Sequence, residues 1–142
     1  MKAIIKSTAC VILSIVFVFC LISCNTVEKA GVWENATYRK DTELGSGAKT
    51  LKVEVKAEEQ TVTFTVKTDK ATVGEALMEN GLIDGENGPY GIYVKSVIGL
   101  TLDYETDGMY WAFYIGEELS PTGADMTEIA DGQVYRFVAT KG

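Results

Sequence analysis

The sequence predicts an α+β fold: a β-grasp-like mixed sheet with one short helix packed on one face. Three observations carry this. Leu51, Val53 and Val55 alternate with Lys52, Glu54 and Lys56; after Glu58-Glu59-Gln60, Val62, Phe64 and Val66 alternate with threonines and Lys67. Two period-two runs so close together read as a β-hairpin with one buried face. A short helical segment follows, and then further strand-like runs. One helix across one face of a mixed sheet is the layer solution this order favours, leaving the other sheet face open.

Taken in chain order, Lys2 and Lys6 precede an apolar run from Ala9 to Ile22 that only Ser14 interrupts. At about 1.5 Å per residue this run reaches roughly 21 Å, short of a ~30 Å hydrocarbon core. A basic head and a short apolar run read as an export signal. Leu21-Ile22-Ser23-Cys24, which ends the run, resembles the bacterial lipobox. That resemblance implies lipidation of Cys24 as the new N-terminus and anchoring to the outer face of a bacterial cell membrane, which several acyl chains would make durable. Cys10, Cys20 and Cys24 are the only cysteines, so no disulfide is expected in the mature chain. The expected division is 1–23 signal peptide, 24–49 tether and 50–142 folded domain. Within the tether Trp33 and Tyr38 are unusual, and packing against the domain is open to both.

Thr72-Val73-Gly74-Glu75 fits a capping box, with a hydroxyl at the N-cap and a carboxylate three positions on. Val73, Ala76 and Leu77 follow at helical spacing, and Asn80-Gly81 supplies the stop. A two-turn helix is not stable alone, so it must pack on the hairpin. Asp84 to Pro89 is dense in turn formers. Ile92 to Ile98 reads as a strand closed by Gly99, and Leu100 to Tyr104 as a short strand. Met109 to Ile115 is an aromatic strand, Gly116 to Thr127 a loop, and Asp131-Gly132 a turn into a last strand that alternates Val134, Arg136 and Val138 with Tyr135, Phe137 and Ala139.

Composition narrows the function. Among 142 residues, 13 Lys and Arg face 20 Asp and Glu, and there is no histidine. A pI near 4.6 argues against a nucleic-acid partner. Without histidine, Ser-His-Asp and Cys-His catalysis are excluded within the chain, and the commonest metal ligand is missing. Glu117 and Glu118 would point to opposite faces of a strand, a poor acid/base pair. Asp84-Gly85-Glu86-Asn87 lacks the spacing of a calcium loop. No catalytic or metal-ligating set is expected, and the chain reads as a binding module.

The aromatic residues carry the expected site. On the Met109–Ile115 strand, alternation puts Trp111 and Phe113 on one face and Tyr110 and Tyr114 on the other, flanking the small Ala112. The tyrosine pair makes a shallow amphipathic shelf suited to a flat ligand with polar edges, or else a second core layer.

Thr72 to Leu77, Tyr90 to Gly99, Tyr110-Trp111-Ala112-Phe113 and Ile129-Ala130-Asp131-Gly132, in that order, resemble the C-terminal domain of transcobalamin and intrinsic factor. The resemblance is closer to the bacterial transcobalamin C-terminal-like domains. It spans about Leu51 to Gly142 and implies a surface lipoprotein that captures cobalamin or a related corrinoid for uptake, with a transporter as a further partner. It implies no required cofactor and no cobalt ligand from histidine. Tyr93 and Val94 match ring-covering positions, and Ala112 stands where the family carries a polar side chain. The expected contact surface is Tyr93, Val94, Tyr110 and Tyr114, with the Asn87 to Tyr90 loop at its edge. The alternative is an extracellular module that docks another protein or a wall polymer, with no small ligand.

Overall fold

The computed structural model describes residues 31–142; the segment expected as an export signal and lipobox, with all three cysteines, lies outside the described residues. The two alternating runs form β2 (Lys49–Ala57) and β3 (Gln60–Thr68), paired antiparallel with Val53 opposite Phe64 and Val55 opposite Val62. Every apolar member of the alternation is buried. β9 (Val134–Lys141) adds parallel to β2, and β7 (Met109–Ile115) adds antiparallel to β9. Two short edge strands, β1 (Thr42–Gly45) beside β3 and β8 (Glu118–Leu119) beside β7, complete a sheet ordered β1-β3-β2-β9-β7-β8.

Over one face of this sheet lie the helix α1 (Val73–Glu79) and a second, three-stranded sheet of β4 (Ile83–Gly88), β5 (Gly91–Val97) and β6 (Leu100–Thr101). The fold is mixed α+β as expected, but its strands divide between two sheets. The core between the layers holds Phe64, Phe137, Tyr135, Trp111, Leu77, Ile98 and Leu100. Phe113 stacks on Phe137 with ring centroids 5.0 Å apart. Burying each such aromatic side chain contributes up to about 3 kcal/mol. The hydroxyl of fully buried Tyr135 is satisfied: it accepts from Ala130 N at 2.9 Å and donates to Glu128 O at 3.2 Å.

α1 starts where the capping box places it. Thr72 Oγ1 accepts from Glu75 N at 3.3 Å, and Glu75 Oε2 accepts from Thr72 N at 3.4 Å. Val73, Ala76 and Leu77 face the core.

Four segments differ from the sequence expectation, one of them Glu118–Leu119, which forms edge strand β8 inside the expected Gly116 to Thr127 loop because it pairs with the end of β7. The folded unit extends N-terminal of Thr50. Trp33 is buried in the core and donates from Nε1 to Ala57 O at 2.9 Å, and Tyr38 packs edge-on to Phe64 at 5.5 Å. Thr42–Gly45 pairs with β3, so residues 31–49 belong to the domain and not to a tether. The strand is too short and too polar to announce itself by alternation. Asp84 to Gly88, expected as a turn, lies within β4, and the reversal falls at Pro89-Tyr90. Gly85 tolerates this because the backbone carbonyl of Tyr93 lies where a Cβ would be. Finally, Tyr104 does not end a strand; it opens a one-turn helix, α2 (Tyr104–Asp107), capped by Asp103.

Ile98 and Gly99 form the two-residue turn between β5 and β6, at φ 48° and 84°. That conformation suits hairpin twist and is free for Gly99 but costly for a β-branched residue. Full burial of the Ile98 side chain and two short hydrogen bonds offset the cost: Ile98 N donates to Leu82 O, and Ile98 O accepts from Thr37 N, both at 2.7 Å.

Candidate functional site

Alternation on β7 divides the aromatics as the sequence suggests. Trp111 and Phe113 are buried, and Trp111 Nε1 donates to Leu100 O at 3.1 Å. Tyr110 and Tyr114 are half-buried on the opposite, open face of the six-stranded sheet, and Ala112 is covered between them.

The expected shelf is not one surface. Val94 points into the core while its neighbour Tyr93 points out, because successive residues of a strand face opposite ways. Tyr93 lines a cleft of about 310 Å³ with Tyr104, Lys95, Glu86, Asp103 and Glu105. Tyr104 shares that cleft with Tyr93 and on its other side meets Tyr110 edge-to-face at 6.4 Å, outside the cleft. Tyr114 belongs to a different cleft of about 240 Å³, with Arg136, Glu54, Glu117, Lys56, Thr61 and Val138. Tyr90, at the tip of the β4–β5 hairpin, is 75% exposed.

The hairpin is fixed near its tip. Asp125 Oδ1 accepts from Ile92 N at 2.7 Å, and Gly123 N donates to Tyr90 O at 2.8 Å. Its outer face therefore holds a defined position beside α2. Asp103 Oδ1 accepts from Glu105 N at 2.8 Å and Thr106 N at 3.1 Å. The backbone N–H groups of Thr106 and then Glu105 hold its carboxyl below the usual Asp range. Across the cleft, Lys95 Nζ lies 3.1 Å from Glu86 Oε1, and that bonded carboxylate raises the Lys95 pKa. The cleft thus offers aromatic faces flanked by a fixed carboxylate and an ammonium group. Such a surface can stack a flat ligand and hydrogen-bond its polar edges. Among the described residues, no three His, Cys, Asp or Glu side chains cluster as a metal site would require.

Sequence reasoning missed Tyr104, Lys95, Asp103 and Arg136 as lining residues. The outward position of Arg136 was readable from the alternation of β9. The cap at Asp103 had a local signal, an Asp followed by two residues that donate to it, but nothing local tells that α2 packs beside β5.

The molecule is a small two-layer α+β module with tyrosines lining its clefts. Residues 70–138 match the family model described as a domain of unknown function (DUF4430). It is similar, at 30% identity, to a solved structure from Ruminococcus gnavus ATCC 29149 named as a candidate metal binding protein; the match covers 67% of this chain and 99% of that one, with a TM-score of 0.63. A haptocorrin structure in complex with Cbi is similar at 21% identity and a TM-score of 0.49, over 66% of this chain and 25% of that one. No curated protein matches the chain.

Proposed function

We propose that the protein is an exported, lipid-anchored binding module that captures a flat amphipathic ligand, a corrinoid such as cobalamin, and that it acts by binding and not by catalysis. The observation that carries the reading is the pair of exposed tyrosines in one cleft, Tyr93 44% and Tyr104 57% exposed, with Tyr110 edge-to-face against Tyr104. Large aromatics left in water on a rigid strand and a capped turn are characteristic of contact surfaces. The resemblance of Tyr90 to Gly99 and Tyr110 to Phe113 to transcobalamin C-terminal-like domains supports a corrinoid as the ligand. Leu21-Ile22-Ser23-Cys24 supports the anchor at Cys24 and an outer-face location, and the corrinoid reading carries with it delivery to an uptake transporter.

The ligand would lie across the tyrosines, with Lys95 and Asp103 at its edge and Tyr90 on the hairpin beside it. A module that covers one ligand face alone binds less tightly than one that encloses both. Titration with cyanocobalamin and with dicyanocobinamide, read by calorimetry and visible absorbance, tests this. Tyr93→Ala and Tyr104→Ala should each weaken binding about fivefold, the equivalent of about 1 kcal/mol per stacked aromatic. No heat and no spectral change at millimolar ligand would sink the corrinoid assignment. For the anchor, Cys24→Ala should release the protein from the membrane fraction or leave the precursor unprocessed.

A further inference from the structure

The open face of the six-stranded sheet has a charge opposite to that of the rest of the domain. Residues 31–142 hold ten Lys and Arg against nineteen Asp and Glu. Yet the outward positions of the sheet hold Lys52, Lys56, Lys67 and Arg136 against Glu43 and Glu54, with Glu117 on the adjoining turn as a third acid, four cations against three carboxylates. Four of the ten cations are concentrated on one face of an acidic molecule, interspersed with the threonines of β3. On this face is the cleft of about 240 Å³, lined by Tyr114 and Arg136 among others.

The guanidinium there is incompletely satisfied. Its buried Nε lies 2.9 Å from Glu54 Oε2, but no hydrogen bond is aligned with that N–H. Its Nη2 is held at 2.9 Å by Glu117 Oε1, from a side chain that is 83% exposed on the β7–β8 turn. An exposed ion pair of this kind contributes little stability, so Glu117 can be displaced. A guanidinium prefers a planar carboxylate, and Glu117 supplies one from within the chain.

We infer that this face is a second binding surface, separate from the Tyr93 and Tyr104 cleft, for a uronate-bearing polysaccharide, and that Glu117 occupies Arg136 until a uronate carboxylate replaces it. The positive face attracts the polymer against the negative charge of the whole. Arg136 pairs with one carboxylate, Tyr114 offers an aromatic face to the sugar ring, and the threonine hydroxyls and lysines follow the chain on either side. An acidic peptide would use the cations but leave Tyr114 without a ring to stack on. A lipid surface would have no use for a concave cleft.

The test is retention and calorimetry of the whole protein with polygalacturonate, with neutral dextran, polyglutamate and phosphatidylglycerol vesicles as comparison probes. Polygalacturonate should bind, salt should weaken it, and dextran should not bind. Arg136→Gln and Lys56→Gln should each weaken binding, Arg136→Gln by tenfold or more, and Glu117→Gln should strengthen it severalfold by removing the internal competitor. Because Lys56 and Glu117 are exposed, those two variants report even if Arg136→Gln loses stability. Tyr93→Ala should leave this binding unchanged, which separates it from the corrinoid reading. No binding to polygalacturonate, equal or tighter binding to polyglutamate or the vesicles, or a Glu117→Gln variant that binds more weakly would each overturn the inference.

Discussion

The two faces of the six-stranded sheet are made by the same strands and differ only in which alternate residue they present. Inward, β9 contributes Tyr135 and Phe137, both essentially inaccessible; outward, it contributes Arg136 and Val138, both half-buried. The inner face is covered by a helix and a second sheet, and its aromatics stack on one another. The outer face keeps its aromatics, Tyr110 and Tyr114, beside charges and hydroxyls. A shift of one residue in register would exchange these roles, so the pairing of β2, β9 and β7 fixes both the core and the binding surfaces.

The sharpest way to break this comparison is to truncate neighbouring residues on the two faces. Phe137→Ala should cost about 3–5 kcal/mol, because Phe113 and Tyr135 cannot collapse into the space it leaves. Val138→Ala, one residue away on the outer face, should cost about 1 kcal/mol or less. Urea unfolding of the two variants measures the difference. Comparable losses would mean that the outer face is covered as thoroughly as the inner one.

The second contrast is between the strands that the sequence makes legible and the N-terminal segment that it does not. Leu51 to Val66 could be read because one face is apolar and the other polar at every step, and α1 because Thr72 and Glu75 stand three apart before an apolar stripe. Thr42–Gly45 offers four residues without a clean period, and its strand exists because β3 presents a free edge beside it. Tyr110 and Tyr114 could be assigned to one face by parity. That Tyr110 packs against Tyr104 while Tyr114 lines a cleft could not, since it depends on where α2 packs. The burial of Trp33 gives this contrast a test. Trp33→Ala should cost about 3 kcal/mol, at the low end of the range for large aromatic truncations because the ring lies at the margin of the core. Trp33→Phe should recover most of that and lose only about 1 kcal/mol, the hydrogen bond to Ala57 O. A chain beginning at Thr50 that unfolds at the same urea concentration as one beginning at Gly31 would show that the segment adds nothing to the fold.

The smallest expected effect concerns the cleft beside Tyr93, where the charges are exposed and the comparison is with the buried half of the same hairpin. Asp103 has its pKa lowered in the folded state, first by the N–H of Thr106 and then by that of Glu105. A depressed carboxyl contributes stability above its unfolded pKa of about 3.9, and that contribution is lost as pH falls through the folded value. Lys95 is shifted the other way, upward, by its hydrogen bond to Glu86. Its contribution is full below the unfolded value of about 10.4 and is lost as pH rises through the folded one. Between those limits α2 should stay capped and Tyr104 should stay beside Tyr93. Carboxyl-carbon NMR should find Asp103 titrating below the usual Asp range. Asp103→Ala should remove the two cap bonds and increase amide exchange at Glu105 and Thr106, while Val94 and Val97, on the buried side of β5, keep their protection. If exchange rose equally at Val97, the cleft and the core would be one cooperative unit, and the division drawn here between the two faces of the hairpin would fail.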